Sequence, residues 1–471
     1  MRASVAADSP QEAVDRASLR GGPVHVRPAP DLRRSLVSAP ALIVLVALLL
    51  RLGAIAGDGG YQPANDAFEY DYLARSIAAG DGYPPSGYLL QGGPTAIRGP
   101  AYPALLGGAY ALSGDSLTAG RVLGALLGAL AVALLYLIGK RIWGRRTGLV
   151  AAALAAVFPP LVLLSRDLFS ETLFIALELG AILCVLEFRR SGRLARWAAA
   201  AGGCSGLAIL TRPTGVALAV AIAVGLWTLR PRLRVAALIA PATALLCAVV
   251  VVLPWVVRDA VEFGRLVPVT TSGGFASAGT YNEASHRDPA RPGAWRTPQA
   301  IPRFKPLFTT PGVDEAAMDA ALRDAARDFA WEHPAYVVEA SAWNLLRLFE
   351  IEGESVVDRR GRAVEDRGIG SADPLLERIA VALAAAIAAV GLIALLRGGR
   401  RSPAAPPRLP RGPLFFWLVP ILTLVFTVPV AGLPRYRLPL DPFLLTLAAI
   451  GLLALLPAGF ARGRPGVREP A

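Results

Sequence analysis

The residues able to do chemistry in this 471-residue chain gather in a few polar stretches between long apolar blocks. The densest reads Asn65-Asp66-Ala67-Phe68-Glu69-Tyr70-Asp71-Tyr72-Leu73-Ala74-Arg75-Ser76-Ile77, followed by Arg98-Gly99-Pro100-Ala101-Tyr102-Pro103. Tyr70, Leu73, Ala74 and Ile77 share one helical face, which puts Asp66 at the N-cap or in the first turn of a short helix. Capping is a common task for Asp; taking a proton as a general base is the other. The spacing leaves both open, and Glu69, Tyr70, Asp71 and Tyr102 stand beside it as further candidates. Glu171 lies in a second polar stretch, and its plain alternative is an interfacial carboxylate in water or one paired with Arg166. Arg435-Tyr436-Arg437 sets two guanidinium groups at the edge of the last apolar block, and Arg258-Asp259 and Arg212 occupy similar edges. Two cations at such an edge fit a lipid phosphate or pyrophosphate, or simple snorkelling toward headgroups.

The elements that must hold these residues are membrane helices. Hydrophobic residues make up 54% of the chain and charged ones only 18%, against about a quarter charged in soluble proteins. Mean hydropathy is +0.49. These values exclude a soluble globular enzyme and a disordered or fibrous chain. Ten segments, about 35–56, 117–138, 148–164, 168–188, 197–210, 215–229, 235–256, 375–396, 414–430 and 437–456, approach the roughly 20 apolar residues of a span. Two of these, 197–210 and 215–229, are short and form a hairpin about Thr211-Arg212-Pro213-Thr214.

Charge placement orients the spans. Lys140, Arg141, Arg145 and Arg146, then Arg189, Arg190, Arg193 and Arg196, then Arg230, Arg232 and Arg234, and then residues 397–411 alternate with acidic or weakly charged loops. Basic loops face the cytoplasm, so the reading is a multi-pass cell-membrane protein with both termini inside. Residues 1–34 and 458–471 read as cytoplasmic tails, and the first span as an uncleaved signal-anchor. Between them lie a transmembrane module at 35–257, an outer loop subdomain at 258–373 and a C-terminal membrane part at 374–457.

Two outer loops, 57–116 and 258–373, are long enough to be functional. The first carries a short interfacial stretch at 104–112. In the second, Met318, Leu322, Ala325 and Phe329 have helical spacing, Pro334 interrupts, and Tyr336, Trp343, Leu346 and Phe349 resume it. The Gly- and Ser-rich residues 270–279 read as a mobile stretch. Net charge is +13, but the arginines are dispersed rather than gathered on one face, which excludes nucleic acid as a partner. Lys140 and Lys305 are the only lysines, the mark of a GC-rich genome. Cys184, Cys204 and Cys247 read as core residues. His25, His286 and His333 lie too far apart in sequence to indicate a metal cluster, so no metal and no cofactor are expected.

Taken in order, the acidic first loop, Arg98-Gly99-Pro100-Ala101-Tyr102-Pro103, residues 165–174, Leu210-Thr211-Arg212-Pro213-Thr214-Gly215, Leu253-Pro254-Trp255-Val256-Val257-Arg258 and Arg435-Tyr436-Arg437-Leu438-Pro439 carry a resemblance. Over residues 36–456 the chain resembles the family 39 glycosyltransferases of the GT-C superfamily, which include protein O-mannosyltransferases and the aminoarabinose transferase. The resemblance implies an all-α polytopic bundle of about ten transmembrane helices with two long extracytoplasmic loops. It implies Asp66 as catalytic aspartate, Glu171 as second acidic residue, and Arg98 as a contact of the donor phosphate; Arg435, Arg437 and Arg258 join it as phosphate-binding candidates. Many relatives have Asp-Glu in the first loop, where this chain has Asp66-Ala67.

The implied partners are membrane lipid, a polyprenyl-phosphate sugar donor and an extracytoplasmic glycan, lipid or protein acceptor. Such a donor already carries a good leaving group, so the reaction asks for a base at the acceptor hydroxyl and cations at the departing phosphate. One displacement inverts the anomeric centre; a glycosidase would want a spaced carboxylate pair. The rival reading is a transporter or lipid-linked-sugar flippase, because Glu178 falls near mid-membrane, where ionisable groups mark pathways.

Overall fold

The computed structural model describes residues 38–191, 194–227, 234–352, 356–357, 363–364, 374–397 and 412–456. The expected tails, 1–34 and 458–471, and most of the basic segment 397–411 lie outside the described residues. Helices dominate: α1 (Ala39–Ala56), α2 (Asp66–Ala79), α3 (Ala101–Ser113), α4 (Leu117–Trp143), α5 (Arg145–Val157), α6 (Pro159–Leu164), α7 (Glu171–Ser191), α8 (Leu194–Thr211), α9 (Gly215–Leu226) and α10 (Val235–Phe263) come first. The second loop supplies α11 (Gly273–Thr280), α12 (Glu283–His286), α13 (Lys305–Thr309), α14 (Glu315–Glu332) and α15 (Pro334–Leu348). After it come α16 (Pro374–Arg397), α17 (Leu414–Thr427), a 3-10 turn at Pro434–Leu440 and α18 (Asp441–Leu455). Three two-residue strands, β1 (Trp295–Arg296), β2 (Val356–Val357) and β3 (Ala363–Val364), form a small sheet in that order, β1 parallel to β2 and β2 antiparallel to β3.

Among the described residues, five helices are long and apolar enough to cross a membrane: Ala39–Ala56, Leu117–Trp143, Val235–Phe263, Leu375–Arg397 and Pro434–Leu455. α9 and α17 are shorter apolar helices. Over its described residues each expected apolar segment is mainly helical, and two differ in extent. The segment expected at 148–164 is two helices, because Pro159 and Pro160 cannot continue α5 and instead open α6. α10 runs on to Phe263 before Gly264, at φ +62°, ends it. Arg258 and Asp259 therefore belong to the helix and not to the loop.

The two long loops dock on each other. Leu89 of the first joins Met318, Leu322, Phe329 and Tyr336 of the second in one apolar cluster. Beside it, the fully buried Glu315 receives hydrogen bonds from Thr95 Oγ1 (3.0 Å), the Ala96 amide (3.1 Å), Thr271 Oγ1 (2.8 Å) and Ser86 Oγ. Four donors on one carboxylate satisfy a buried charge that would otherwise be costly. α14 and α15 fall where the periodicity places them, and Asp314 caps α14 through the Ala317 amide at 2.6 Å.

Candidate active site

At the start of α2 the chain turns sharply, with Asn65 at φ +50° occupying the N-cap position. Asp66 is thus the first helical residue, and its side chain does not cap. Instead its two carboxylate oxygens accept from Arg98 Nη2 at 2.5 Å and from Arg435 Nη2. Glu69, one turn on and so on the same face, accepts from Arg98 Nε at 2.7 Å and from the Tyr88 hydroxyl. The Arg98 guanidinium also lies 5.4 Å from the centre of the Tyr70 ring. A second ion pair stands behind this one. Glu171, at the N-terminus of α7 and fully buried, binds Arg212 at 2.6 Å. Ser170 Oγ joins the two groups, accepting from the Tyr70 hydroxyl at 2.9 Å and from Arg212 Nη1 at 3.3 Å. Tyr436 lies beneath both Arg212 and Arg435, at 5.0 and 5.2 Å.

Burial alone would raise the Asp66 carboxyl, but Arg435 and Arg98, with Arg212 nearby, overcome it and hold it well below the usual carboxylate range. Burial likewise works against the Arg98 cation, and Asp66 and Glu69 more than restore it. Asp66, Arg98 and Arg212 of this network face one space, with Glu69, Arg435 and Glu171 paired to them.

That space is a cavity of about 280 Å³. Asp66, Tyr70, Arg98, Arg212 and Tyr436 form its charged part, Thr270, Ser272, Gly273 and Ala276 another wall, and Thr423, Phe426, Thr427 and Val430 its less polar side. Most of residues 270–279, expected as a mobile stretch, form α11, packed on α14. A β-carbon on Gly274 would stand 2.0 Å from the Asp319 carbonyl oxygen, and the Gly274 amide donates to Asp319 Oδ1 at 2.5 Å. Gly274 serves close approach rather than freedom.

Gly99 does the same for the arginines. A β-carbon there would meet the Leu210 carbonyl oxygen at 2.2 Å. That contact seats Arg98 beside the Thr211–Thr214 turn that carries Arg212. Gly99→Ala must part the two segments by about 1 Å, a misplacement that costs on the order of 10²-fold in turnover. Product formation by Gly99→Ala protein of normal thermal stability checks this; unchanged turnover would show that the spacing of the two arginines does not matter.

Other candidates fall elsewhere. Arg437 is buried between Asp441 (3.0 Å) and Glu350 (2.9 Å) and donates to the Leu348 carbonyl, away from the cavity lining. Arg258 binds Asp259 at 2.9 Å and the Thr95 carbonyl at 2.9 Å, tying the first loop to α10. Asp71 points to the opposite side of α2, accepting from Arg75 (2.9 Å) and the Tyr110 hydroxyl (2.7 Å), and so anchors α2 to α3. Tyr102 is buried edge-on to Tyr70, at 5.0 Å. Glu178 is fully buried in α7 and is not among the residues lining the cavity.

Glu171 pairs with Arg212 and not with Arg166, which approaches Asp58 at 3.7 Å. Arg212, Tyr436 and Tyr88 are the members that sequence reasoning did not select. A signal for Arg212 existed in the Arg-Pro break between two apolar runs. The histidines also depart from expectation: the rings of His286 and His333 stand 4.8 Å apart, while His25 lies outside the described residues.

Comparison with known proteins agrees with this architecture. Residues 97–257 match the family model described as dolichyl-phosphate-mannose-protein mannosyltransferase. No curated protein matches the chain. Among solved structures, the Archaeoglobus fulgidus oligosaccharyltransferase in its apo form is similar at 14% identity and a TM-score of 0.50, covering 88% of this chain and 50% of that one. The archaeal oligosaccharyltransferase AglB from the same organism, in complex with an inhibitory peptide and a dolichol-phosphate, gives 14% and 0.49, covering 92% and 52%. ArnT from Cupriavidus metallidurans bound to undecaprenyl phosphate gives 17% and 0.36, covering 87% and 76%. The chain spans about half the length of the oligosaccharyltransferases it matches. The resemblance to GT-C glycosyltransferases read from the motifs holds at the level of the fold.

Proposed function

From a fold shared with GT-C membrane glycosyltransferases, we propose that this chain transfers a sugar from a polyprenyl-phosphate donor to an extracytoplasmic acceptor. The observation that carries the reading is Asp66 held between Arg98 and Arg435 at the rim of the cavity. In this reading the donor phosphate replaces the Asp66 carboxylate as partner of the two guanidiniums. Released from them, Asp66 regains basicity and accepts the proton of the acceptor hydroxyl as that oxygen attacks the anomeric carbon. The bond from that carbon to the phosphate oxygen breaks, with inversion, and the arginines stabilise the charge that collects on the lipid phosphate. Glu171 acts through Arg212, which it positions. Asp66, the carboxylate lining the cavity, already binds guanidinium groups, as do Glu69 and Glu171 beside it, so the reading assigns the phosphate to arginine.

The acceptor is a glycan, lipid or protein of the cell envelope, and the basic loops orient the cavity outward at the cell membrane. The test compares envelope glycans and lipid-linked sugars of cells with and without the gene, with reporter fusions at Gly92 and Arg296 reading the side of the membrane. One sugar should vanish from an envelope product while its polyprenyl-phosphate form accumulates, with both reporters outside. Purified protein should also release lipid phosphate from that donor. A flippase would alter the sugar's sidedness and release none, which would overturn the reading.

A further inference from the structure

We propose that Glu283, His286 and His333 form a binding site for a divalent transition metal of the zinc class, separate from the sugar-transfer residues. One ligand atom from each lies within 4.8 Å of the other two. Two imidazoles and one carboxylate are an established zinc donor set that leaves a fourth position for water. The set needs little rearrangement. A tetrahedral centre with bonds of about 2.0–2.1 Å separates its ligand atoms by about 3.3 Å, and the exposed Glu283 side chain can swing to close the difference.

His333 is prepared for it. His333 Nδ1 lies 3.0 Å from the Phe329 carbonyl oxygen. A carbonyl only accepts, so Nδ1 carries the proton and the Nε2 lone pair is left for a ligand. A histidine bound to metal by one nitrogen is held in the same way through its other nitrogen. Glu283 and His286 are three residues apart on α12 and share a face. That short helix is pinned: Asn282 Oδ1 accepts from the Ser285 amide at 2.9 Å, and Asn282 Nδ2 donates to the Ala278 carbonyl at 2.9 Å. Arg287 is the present partner of the Glu283 carboxylate, but both side chains are at least half exposed, and such surface pairs yield readily.

Ring packing is the competing account, because His286 and His333 also contact Phe329 and Tyr336. Packing alone gives the carboxylate no role. A metal here would staple α12 to the α14–α15 junction. It would thereby brace α11, whose Gly273 and Ala276 line the cavity.

The test uses full-length purified protein freed of any affinity tag. After dialysis against zinc and then buffer, wild type should retain one zinc per chain, and zinc should raise its melting temperature. Glu283→Gln leaves the rings in place and should weaken zinc binding at least about tenfold. Glu283→Gln combined with His286→Phe, which keeps a ring in the cluster, should abolish the retained zinc and the thermal shift. Equal zinc on wild type and the double variant, or none on either, would overturn the site. If the double variant fails to fold, cobalt titration of wild type decides: visible absorption of a four-coordinate centre supports the site, and its absence refutes it.

Discussion

Asp66→Asn should fold and should lose on the order of 10²-fold or more in turnover, the usual scale for removing a positioned base. Helix capping does not explain Asp66, because Asn65 holds the cap position and both Asp66 oxygens face arginine. The sharper expectation concerns the donor. If the carboxylate and the donor phosphate compete for Arg98 and Arg435, the Asn variant should bind donor more tightly, so that KM falls together with kcat. A purely structural role would raise KM or leave it unchanged. Equal turnover for variant and wild type would remove Asp66 from the mechanism.

Two neighbours calibrate that measurement. Glu69→Gln loosens Arg98 and should raise donor KM, while Asp71→Asn should affect stability and leave transfer intact. The ion pairs also carry a pH signature. The folded pKa of Asp66 lies below its unfolded value of about 3.9, so the pairs stabilise the protein above that value and lose their effect as pH falls below it. The difference in melting temperature between wild type and Asp66→Asn should therefore narrow below about pH 4.

Arginine replacement should separate three residues that look alike in sequence. Arg98→Ala and Arg435→Ala each remove a charge-assisted contact worth about 1.5–3 kcal/mol, or roughly 10- to 150-fold in donor use. Lys should rescue only partly, since it lacks the planar fork. Arg437→Ala should behave differently. It strands the buried Asp441 and Glu350 carboxylates without their cation, and breaking a buried pair from one side costs about 3–5 kcal/mol of stability. Thermal melting and donor titration of the three variants decide between these outcomes. Normal donor KM in a folded Arg98→Ala protein would withdraw Arg98 from phosphate binding, and weakened donor binding in a stable Arg437→Ala protein would return Arg437 to it.

Much of this molecule is legible one segment at a time. Apolar run length places the membrane helices, since a buried or lipid-facing helix must be apolar along its whole length. Pro213 and Pro334 stop helices where the sequence says they must, because a proline nitrogen has no hydrogen to donate. The density of carboxylates after Asn65 marked Asp66, and the paired arginines near the end of the chain contained its partner Arg435.

What sequence could not decide is which distant group faces which. Arg435 and Asp66 are 369 residues apart, and hydrophobic periodicity reports that a face is buried without naming the surface that buries it. Arg435 and Arg437 differ in role only because the 3-10 turn at Pro434–Leu440 sends one toward α2 and the other toward Asp441 and Glu350. Glycines 274 and 279 looked like slack until α14 and Trp295 were packed against α11, where a side chain has no room. Glu171 found Arg212, and His286 found His333, by the same route. Ion pairing acts over a few ångströms in space, and the packing of the helices alone determines which charges come that close.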